Sequence, residues 1–315
     1  MGDKYKGRNM SSITVSIIIP SYNYAHVLHR AIESALCQKN TNEVIIVDDG
    51  STDNTENVIT KFMQKDNRIH YLQQENSGPA VARNYGLKHA TSDFVLLLDA
   101  DDELLPGAIE NLLKPLEMDT SLELIVGRSV SIDTKSGRYK SKKSQKFSIS
   151  KEKNFISFIN KKISLSHGRF LAKRKLFFII NYPEQIKNAE DLSVYAHLFL
   201  YAKAYSIKEE VVIKYHHPDS FRHNSKNIIN YGLNVVDAVF NPTIIPFGLM
   251  KYKTKYYSDR CLSMFRSLYV CGDKYHANIF YIKAILANPK SILKIDYLRK
   301  YIKSLLSKNR FKVSN

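Results

Sequence analysis

Between Thr14 and Glu103, four short apolar runs alternate with three helical patterns, and this alternation constrains the fold more than any other feature of the chain. "TVSIIIP" (Thr14–Pro20) is a β-branched run stopped by Pro20, followed by "HVLHRAIESALCQ" (His26–Gln38) with helical spacing. "EVIIVDDG" (Glu43–Gly50) is a second strand. A helix follows from "STDNTENVITKFMQK", with Asp53 and Glu56 placed for a capping box. "IHYLQ" (Ile69–Gln73), "GPAVARNYGLKHA" (Gly78–Ala90) and "FVLLLDADDE" complete the series as strand, helix and strand. Repeated strand–helix–strand order predicts an α/β domain with a mostly parallel, doubly wound sheet flanked by helices.

Beyond this block the pattern loosens. Residues 133–153 are rich in Lys and Ser and read as a mobile loop. Helical spacing returns at Phe155–Ile163 and Asp191–Ala202, a strand is expected near Tyr205–Tyr215, and from Asn227 onward the segments read as helical. The resulting division is a tail over 1–13, an α/β domain over 14–226 and a helical basic extension over 227–315.

Charge follows the same division. Residues 1–120 carry 11 Lys/Arg against 17 Asp/Glu, whereas residues 251–315 carry 15 against 3. A basic field of that kind attracts nucleic acid or an anionic membrane surface. No apolar stretch reaches the ~18 residues of a membrane span, and no signal-peptide core is present. Cys37, Cys261 and Cys271 have no metal-ligand spacing and read as reduced thiols of a cytoplasmic protein.

Open parallel sheets bind ligands at the carboxyl ends of their strands. Three polar clusters fall there: "PSYN" (Pro20–Asn23), "DDGS" (Asp48–Ser51) and "DADD" (Asp99–Asp102). So many carboxylates suit a hydrogen-bond-donor ligand, a divalent cation, or a nucleoside diphosphate bridged by one. Neither GxGxxG nor GxxxxGK[ST] occurs, so no glycine-rich phosphate cradle is expected.

Taken in order, "VSIIIPSYNYAHVLHRAIESALCQ", "EVIIVDDGSTDNT", "NSGPAVARNYGLKHA" and "FVLLLDADDELLPGAIE" resemble the family 2 glycosyltransferases, densely over residues 14–117 and more sparsely to about 223. The resemblance implies the Rossmann-like GT-A fold, a nucleotide-sugar donor (UDP-linked), inversion at the anomeric carbon and a Mn²⁺ or Mg²⁺ cofactor. It places Pro20 and Tyr22 along the base pocket and Asn23 and Ala100 in the donor-binding loops. Asp49 would accept from the base N–H, or Asp48 if the register shifts by one, and Asn76 and Arg83 match the segment that contacts the base and donor. Asp99 and Asp101 match the DxD motif, Asp99 facing the ribose or sugar and Asp101 ligating the metal, with Asp102 behind them. "NAEDLSVY" (Asn188–Tyr195) resembles the segment supplying the catalytic base, here Asp191 with Glu190 as neighbour, although Leu192 and Ser193 replace the usual aromatic. "YHHPDSFRH" (Tyr215–His223) implies a contact from His217, or His216, to metal or diphosphate, and "SHGRFLAKR" puts His167 and Arg169 on the acceptor side.

Each position also has a plain structural reading: Tyr22 as a packed aromatic, Asn76 as a turn residue, Arg83 as a surface ion-pair partner, Glu190 and Asp191 as a charged helix start. Three rival functions exist. A nucleic-acid-binding basic protein leaves the acidic clusters unexplained and lacks a basic motif of any known module. A nucleotidyltransferase would want a glycine-rich, Lys-bearing first loop, and a catalytically inactive binding module would not need both acidic motifs. "KIDYLRKYIKSLLSKNRFK" (Lys294–Lys312) reads as a cationic amphipathic helix. With it the reading becomes a peripheral enzyme on the inner face of a bacterial cell membrane, taking a glycan or lipid-linked acceptor of surface-polysaccharide or lipopolysaccharide assembly.

Overall fold

The structure, a computed structural model, describes residues 13–186, 189–216, 229–230 and 232–306. These form two compact units, the larger taking residues 13–185 and 190–216, the smaller residues 186, 189 and those from 229 onward. No helix of the described residues is long and apolar enough to cross a membrane.

The larger unit carries strands β1 (Val15–Ser21), β2 (Thr41–Asp48), β3 (Ile69–Gln73), β4 (Phe94–Leu97), β5 (Glu103–Leu104), β6 (Leu124–Asp133), β7 (Tyr139–Ser141), β8 (Phe170–Lys173) and β9 (Ala204–His216). They join in one sheet in the order β3-β2-β1-β4-β8-β6-β9-β5, with β7 added on β6. The block from β3 to β4 is parallel, as the strand–helix alternation requires. Beyond it the sheet is mixed: β8 runs antiparallel to both β4 and β6, while β6 and β9 are parallel.

The Lys/Ser-rich segment does not simply loop out. Its start folds back as the β6–β7 hairpin, where Asp133 Oδ1 accepts from Ser136 N at 2.7 Å and Gly137 takes φ +65°. An antiparallel return needs no crossover helix, so a polar turn is sufficient to build it.

Pro20 likewise does not end β1, which continues to Ser21. Leu98 N donates to Ile18 O and Phe94 N to Thr14 O, so even-numbered residues of β1 turn their backbone groups toward β4. Pairing with β4 ends at Ile18, and the N–H that Pro20 lacks would have pointed where no ladder remains.

Both faces of the central strands are covered, which is why their apolar runs are unbroken. Val15, Ile17, Ile19, Val44 and Ile46 share one core with Leu28 and Ile32 of α1 (Ala25–Leu36) and with Ile109 and Leu112 of α4 (Ala108–Leu113). On the opposite face lies α3 (Pro79–His89), following α2 (Thr55–Met63) in the chain. A Cβ at Gly86 of α3 would fall 2.5 Å from Ile18 Cγ2, so only glycine permits this close approach. The unit is completed by α5 (Pro115–Met118), α6 (Lys151–Ile159) and α7 (Asp191–Tyr201).

The smaller unit is helical: α8 (Asn234–Val239), α9 (Lys253–Val270), α10 (Lys274–Ala287) and α11 (Ile295–Leu306). Leu262, Phe265 and Leu268 of α9 pack with Ala277, Phe280 and Tyr281 of α10, and Tyr297, Leu298 and Tyr301 of α11 close that core. The cationic helix expected to run to Lys312 is therefore described as far as Leu306.

Candidate active site

The ends of β1 and β2 are tied into one platform. Asn23, in the left-handed region at φ +56°, accepts from Thr52 N at 2.7 Å through Oδ1, and its own N–H donates to Ser51 Oγ at 2.9 Å. Asp53 does not form the expected capping box on α2. Its carboxylate accepts from Thr55 N and Oγ1 and, through the other oxygen, from Ala25 N at the start of α1, so it fastens two helix starts at once. Asp48 is buried and accepts from Ser51 N and Tyr71 Oη. Asp49, also buried, accepts from Gln74 Nε2 at 2.7 Å and from Ser77 N and Gly78 N at 2.8 Å each, pinning the loop before α3. Gly50 is forced in two ways: φ is +75°, and a Cβ would lie 2.9 Å from Asn76 N.

At the end of β4 the acidic cluster meets the protein's own cations. Asp99 faces Arg83 Nη2 at 3.2 Å, His167 Nδ1 at 3.2 Å and Lys214 Nζ at 3.6 Å. Burial works against the Asp99 charge, but these neighbours overcome it and hold the carboxyl well below the usual carboxylate range. Asp102 pairs with Lys214 Nζ at 2.7 Å. Burial, with Asp99 and Asp101 nearby, still pushes the Asp102 carboxyl up to about 7, while Lys214, opposed by burial, is kept protonated by the two aspartates. The Asp101 carbonyl accepts from Arg30 Nη2, and the Arg30 guanidinium lies 3.7 Å over the Tyr215 ring, whose hydroxyl donates to Glu103. Cation and aromatic together fix the backbone of the DADD turn.

Arg83 joins this cluster to α7. Its Nη1 donates to Glu190 at 2.8 Å, and burial of the guanidinium is outweighed by Asp99, Tyr182 and Glu190. Asp191 opens α7 beside Glu190. Burial raises its carboxyl pKa, Glu190 and Asp99 add to the rise, and His167 and Arg83 oppose it. Among the described residues no hydrogen bond reaches the Asp191 carboxylate. Ala189, immediately before the pair, takes φ +63°, a costly conformation for a residue with a Cβ. His167 is buried between Asp99 and Tyr182, whose hydroxyl lies 2.8 Å from Nε2. Burial and Arg83 depress its pKa. Asp99 works in the opposite direction, so the imidazole is held with Nδ1 toward that carboxylate and Nε2 toward the Tyr182 hydroxyl, while Arg83 and Lys214 also face the Asp99 charge.

The residues singled out in the sequence therefore gather at one edge of the sheet, on unequal terms. Tyr22 is exposed, as is Asn76, and Asp101 is half-buried, so these can meet a ligand. Ala100 is buried and Pro20 half-buried. His167 and Arg169 are interior, not on an open acceptor face: Arg169 is 2% exposed, donates to Ser164 O, and has its pKa lowered by burial to about 10. His217 lies outside the described residues. Sequence reasoning missed Lys214, Tyr182, Arg30 and Tyr24, the last a phenol whose pKa is raised by burial and by the three aspartates of the turn. Lys214 left a signal, a single charge in the apolar run "VVIKY" of an interior strand.

A divalent cation finds no cage of three His, Cys, Asp or Glu ligands among the described residues. Asp99 and Asp102 already face Arg83, His167 and Lys214. A Mg²⁺ or Mn²⁺ ion at this turn would need ligand phosphate oxygens to complete its coordination, the usual manner of these ions.

A parallel α/β block with a mixed extension and carboxylates crowded at its strand ends is the GT-A fold. The chain matches the model of glycosyl transferase family 2 over residues 16–178, and it belongs to that family. An uncharacterised glycosyltransferase of Rickettsia typhi is 36% identical over 213 residues, covering 66% of this chain and 65% of that protein. The first curated relatives are longer than the match, which spans between 17% and 65% of their length. The chain resembles S. aureus TarS 1–349 in complex with UDP-GlcNAc at TM-score 0.58 and 17% identity, over 93% of this chain and 90% of that one. It also resembles the mannosyltransferase PcManGT of Pyrobaculum calidifontis in complex with GDP-Man and Mn²⁺, at TM-score 0.53 and 16% identity over 95% and 89%.

Proposed function

We propose that the protein is an inverting glycosyltransferase that moves a hexosyl or N-acetylhexosaminyl group from a UDP-sugar to a hydroxyl of a saccharide acceptor, lipid-linked and assembled at the cytoplasmic face of a membrane. The observation that supports this reading is the pairing of Asp191, a carboxylate of raised pKa free of hydrogen bonds from described residues, with the Glu190–Arg83–Asp99 bridge that sets it beside the DADD turn. The bound forms of TarS and PcManGT, with UDP-GlcNAc and GDP-Man, support a nucleotide-sugar donor.

In this reading Tyr22 and Asn76 flank the base. Asp49, already holding Ser77 N and Gly78 N, positions the base loop and keeps a lone pair for the base N–H. Asp99, fixed on three sides, orients the sugar. The acceptor oxygen attacks the anomeric carbon as its bond to the diphosphate oxygen breaks; the hydroxyl proton passes to Asp191 and the nucleoside diphosphate leaves. Attack from the side opposite the leaving group inverts the carbon. A base of raised pKa is the better proton acceptor near neutral pH, provided it is still ionised there, a term worth roughly 10²–10⁴-fold. Mn²⁺ or Mg²⁺, held by Asp101 and the donor, would neutralise charge on the diphosphate.

The deciding experiment is a panel of UDP-, GDP- and other nucleotide sugars with Mn²⁺, read as release of nucleoside diphosphate with and without oligosaccharide acceptors. Turnover of one UDP-sugar supports the reading, and release of UDP from none of the UDP-sugars overturns it.

A further inference from the structure

The smaller unit presents a surface unconnected with sugar-nucleotide chemistry. Helix α10 exposes Tyr275, Ile282 and Leu286, and α11 exposes Ile295, Ile302, Leu305 and Leu306. Tyr275, Ile282 and Leu286, like Ile295, Ile302 and Leu306, are spaced by seven residues and then four, which is a single stripe along a 3.6-residue helix, and Leu305 widens the second stripe. Leu286 is 78% exposed and Leu306 80%, values at which a leucine contributes nothing to its own core. The cores of these helices use other faces, through Ala277, Phe280 and Tyr281 on α10 and Tyr297, Leu298 and Tyr301 on α11. Ser304 of α11 donates to Asn278 of α10, so the helices lie side by side, and Ile292 and Leu293 are exposed in the turn between them. Scattered exposed apolar residues need no explanation, but two matching stripes on neighbouring helices do.

The charge around the stripes identifies what covers them. Residues 274–306 contain seven Lys/Arg and one acidic residue, Asp296. Arg299 falls in register with the α11 stripe, four residues after Ile295, and the exposed Lys303 lies beside it. A second copy of this face would bring the same cations, so isologous pairing would set like charges together. Nucleic acid would satisfy the lysines and leave the leucines in water. An anionic lipid surface satisfies both, taking the aliphatic side chains at the level of the acyl chains and the cations among the headgroups.

We propose that the α10–α11 face docks the protein on an anionic lipid surface, with Ile282, Leu286, Ile302 and Leu306 entering the interface and Arg299 and Lys303 facing the headgroups. The proposal stands independently of the donor reading. The full chain is sedimented with vesicles of phosphatidylglycerol and phosphatidylcholine, or of phosphatidylcholine alone, at low and raised salt. Binding to the anionic vesicles alone is expected. Arg299→Gln and Lys303→Gln should each weaken it about fivefold at low salt. Ile302→Ser combined with Leu306→Ser should weaken it at least about tenfold at both salt concentrations, since buried apolar area is not screened. Far-UV circular dichroism matched to wild type shows that the variants are folded, and a UDP-dependent shift in melting temperature, measured separately, reports on the donor site alone. Absence of binding to the anionic vesicles overturns the proposal. So does equal binding by the Ile302→Ser, Leu306→Ser variant, or a wild-type dimer that the same variant dissociates.

Discussion

Arg83 and Glu190 lie 107 residues apart in sequence and 2.8 Å apart in space, and the other amino group of the same guanidinium reaches Asp99. One side chain thus sets the distance between the end of β4 and the start of α7. Arg83→Met strands the Glu190 carboxylate and removes one of three cationic or imidazole neighbours of Asp99, and should cost about 3 kcal/mol, measured by denaturant unfolding. Arg83→Lys keeps the charge but not the fork, so kcat should fall with a much smaller loss of stability. Equal activity of Arg83→Lys and wild type would show that the bridge does not position the site.

Asp191→Asn should lower kcat by roughly 10²–10⁴-fold with little change in UDP affinity, the pattern of an interaction made in the transition state. The same variant should melt at a higher temperature. The folded-state pKa of Asp191 is raised, so its protonated form is favoured by folding, and its contribution to stability falls as pH rises through the window above the ordinary aspartate value. Near pH 7 the charged carboxylate is a net cost that asparagine removes. Scanning calorimetry of both proteins checks the sign.

The acid limb of kcat/KM follows from the same group. It should fall away below an apparent pKa higher than the ordinary Asp value of about 4, because the base must be ionised in the free enzyme. A limb at or below that value would point to a base other than Asp191.

UDP with Mn²⁺ should raise the melting temperature more than UDP alone, since each ligand that binds only the native state adds stability. Asp101→Ala should remove the metal-dependent increment and leave the increment from UDP alone. Persistence of the full shift would move the cation elsewhere.

Gly50→Ala should destabilise by about 1–2 kcal/mol from its left-handed φ alone, and by more because the new Cβ meets Asn76 N at 2.9 Å. Gly137→Ala, also at positive φ but with nothing within 4 Å, supplies the control with strain only. UDP affinity should fall in the first variant and stay unchanged in the second, read by calorimetric titration.

The strand–helix alternation from Thr14 to Leu98 was legible because it is local: apolar residues recur every two or 3.6 positions, and a short window contains the whole signal. The clusters at the strand ends were legible for the same reason, since a parallel sheet brings successive carboxyl ends to one edge. Other features depended on distant partners. Pro20 looked like a strand end until the ladder to β4 was seen to stop at Ile18. The β6–β7 hairpin looked like a loop because a surface hairpin buries no apolar face that a pattern could show. The acidic turn reads in sequence as a place waiting for a cation, yet Arg83, His167 and Lys214 arrive at Asp99 from three separate elements. Strand order and register decide which side chains converge, and they are set by long-range pairing that no local period encodes. The sequence by itself determined the elements and the edge at which the site forms. Only the tertiary structure decided which charges there are neutralised from within, because burial and ion pairing are properties of the assembled neighbourhood.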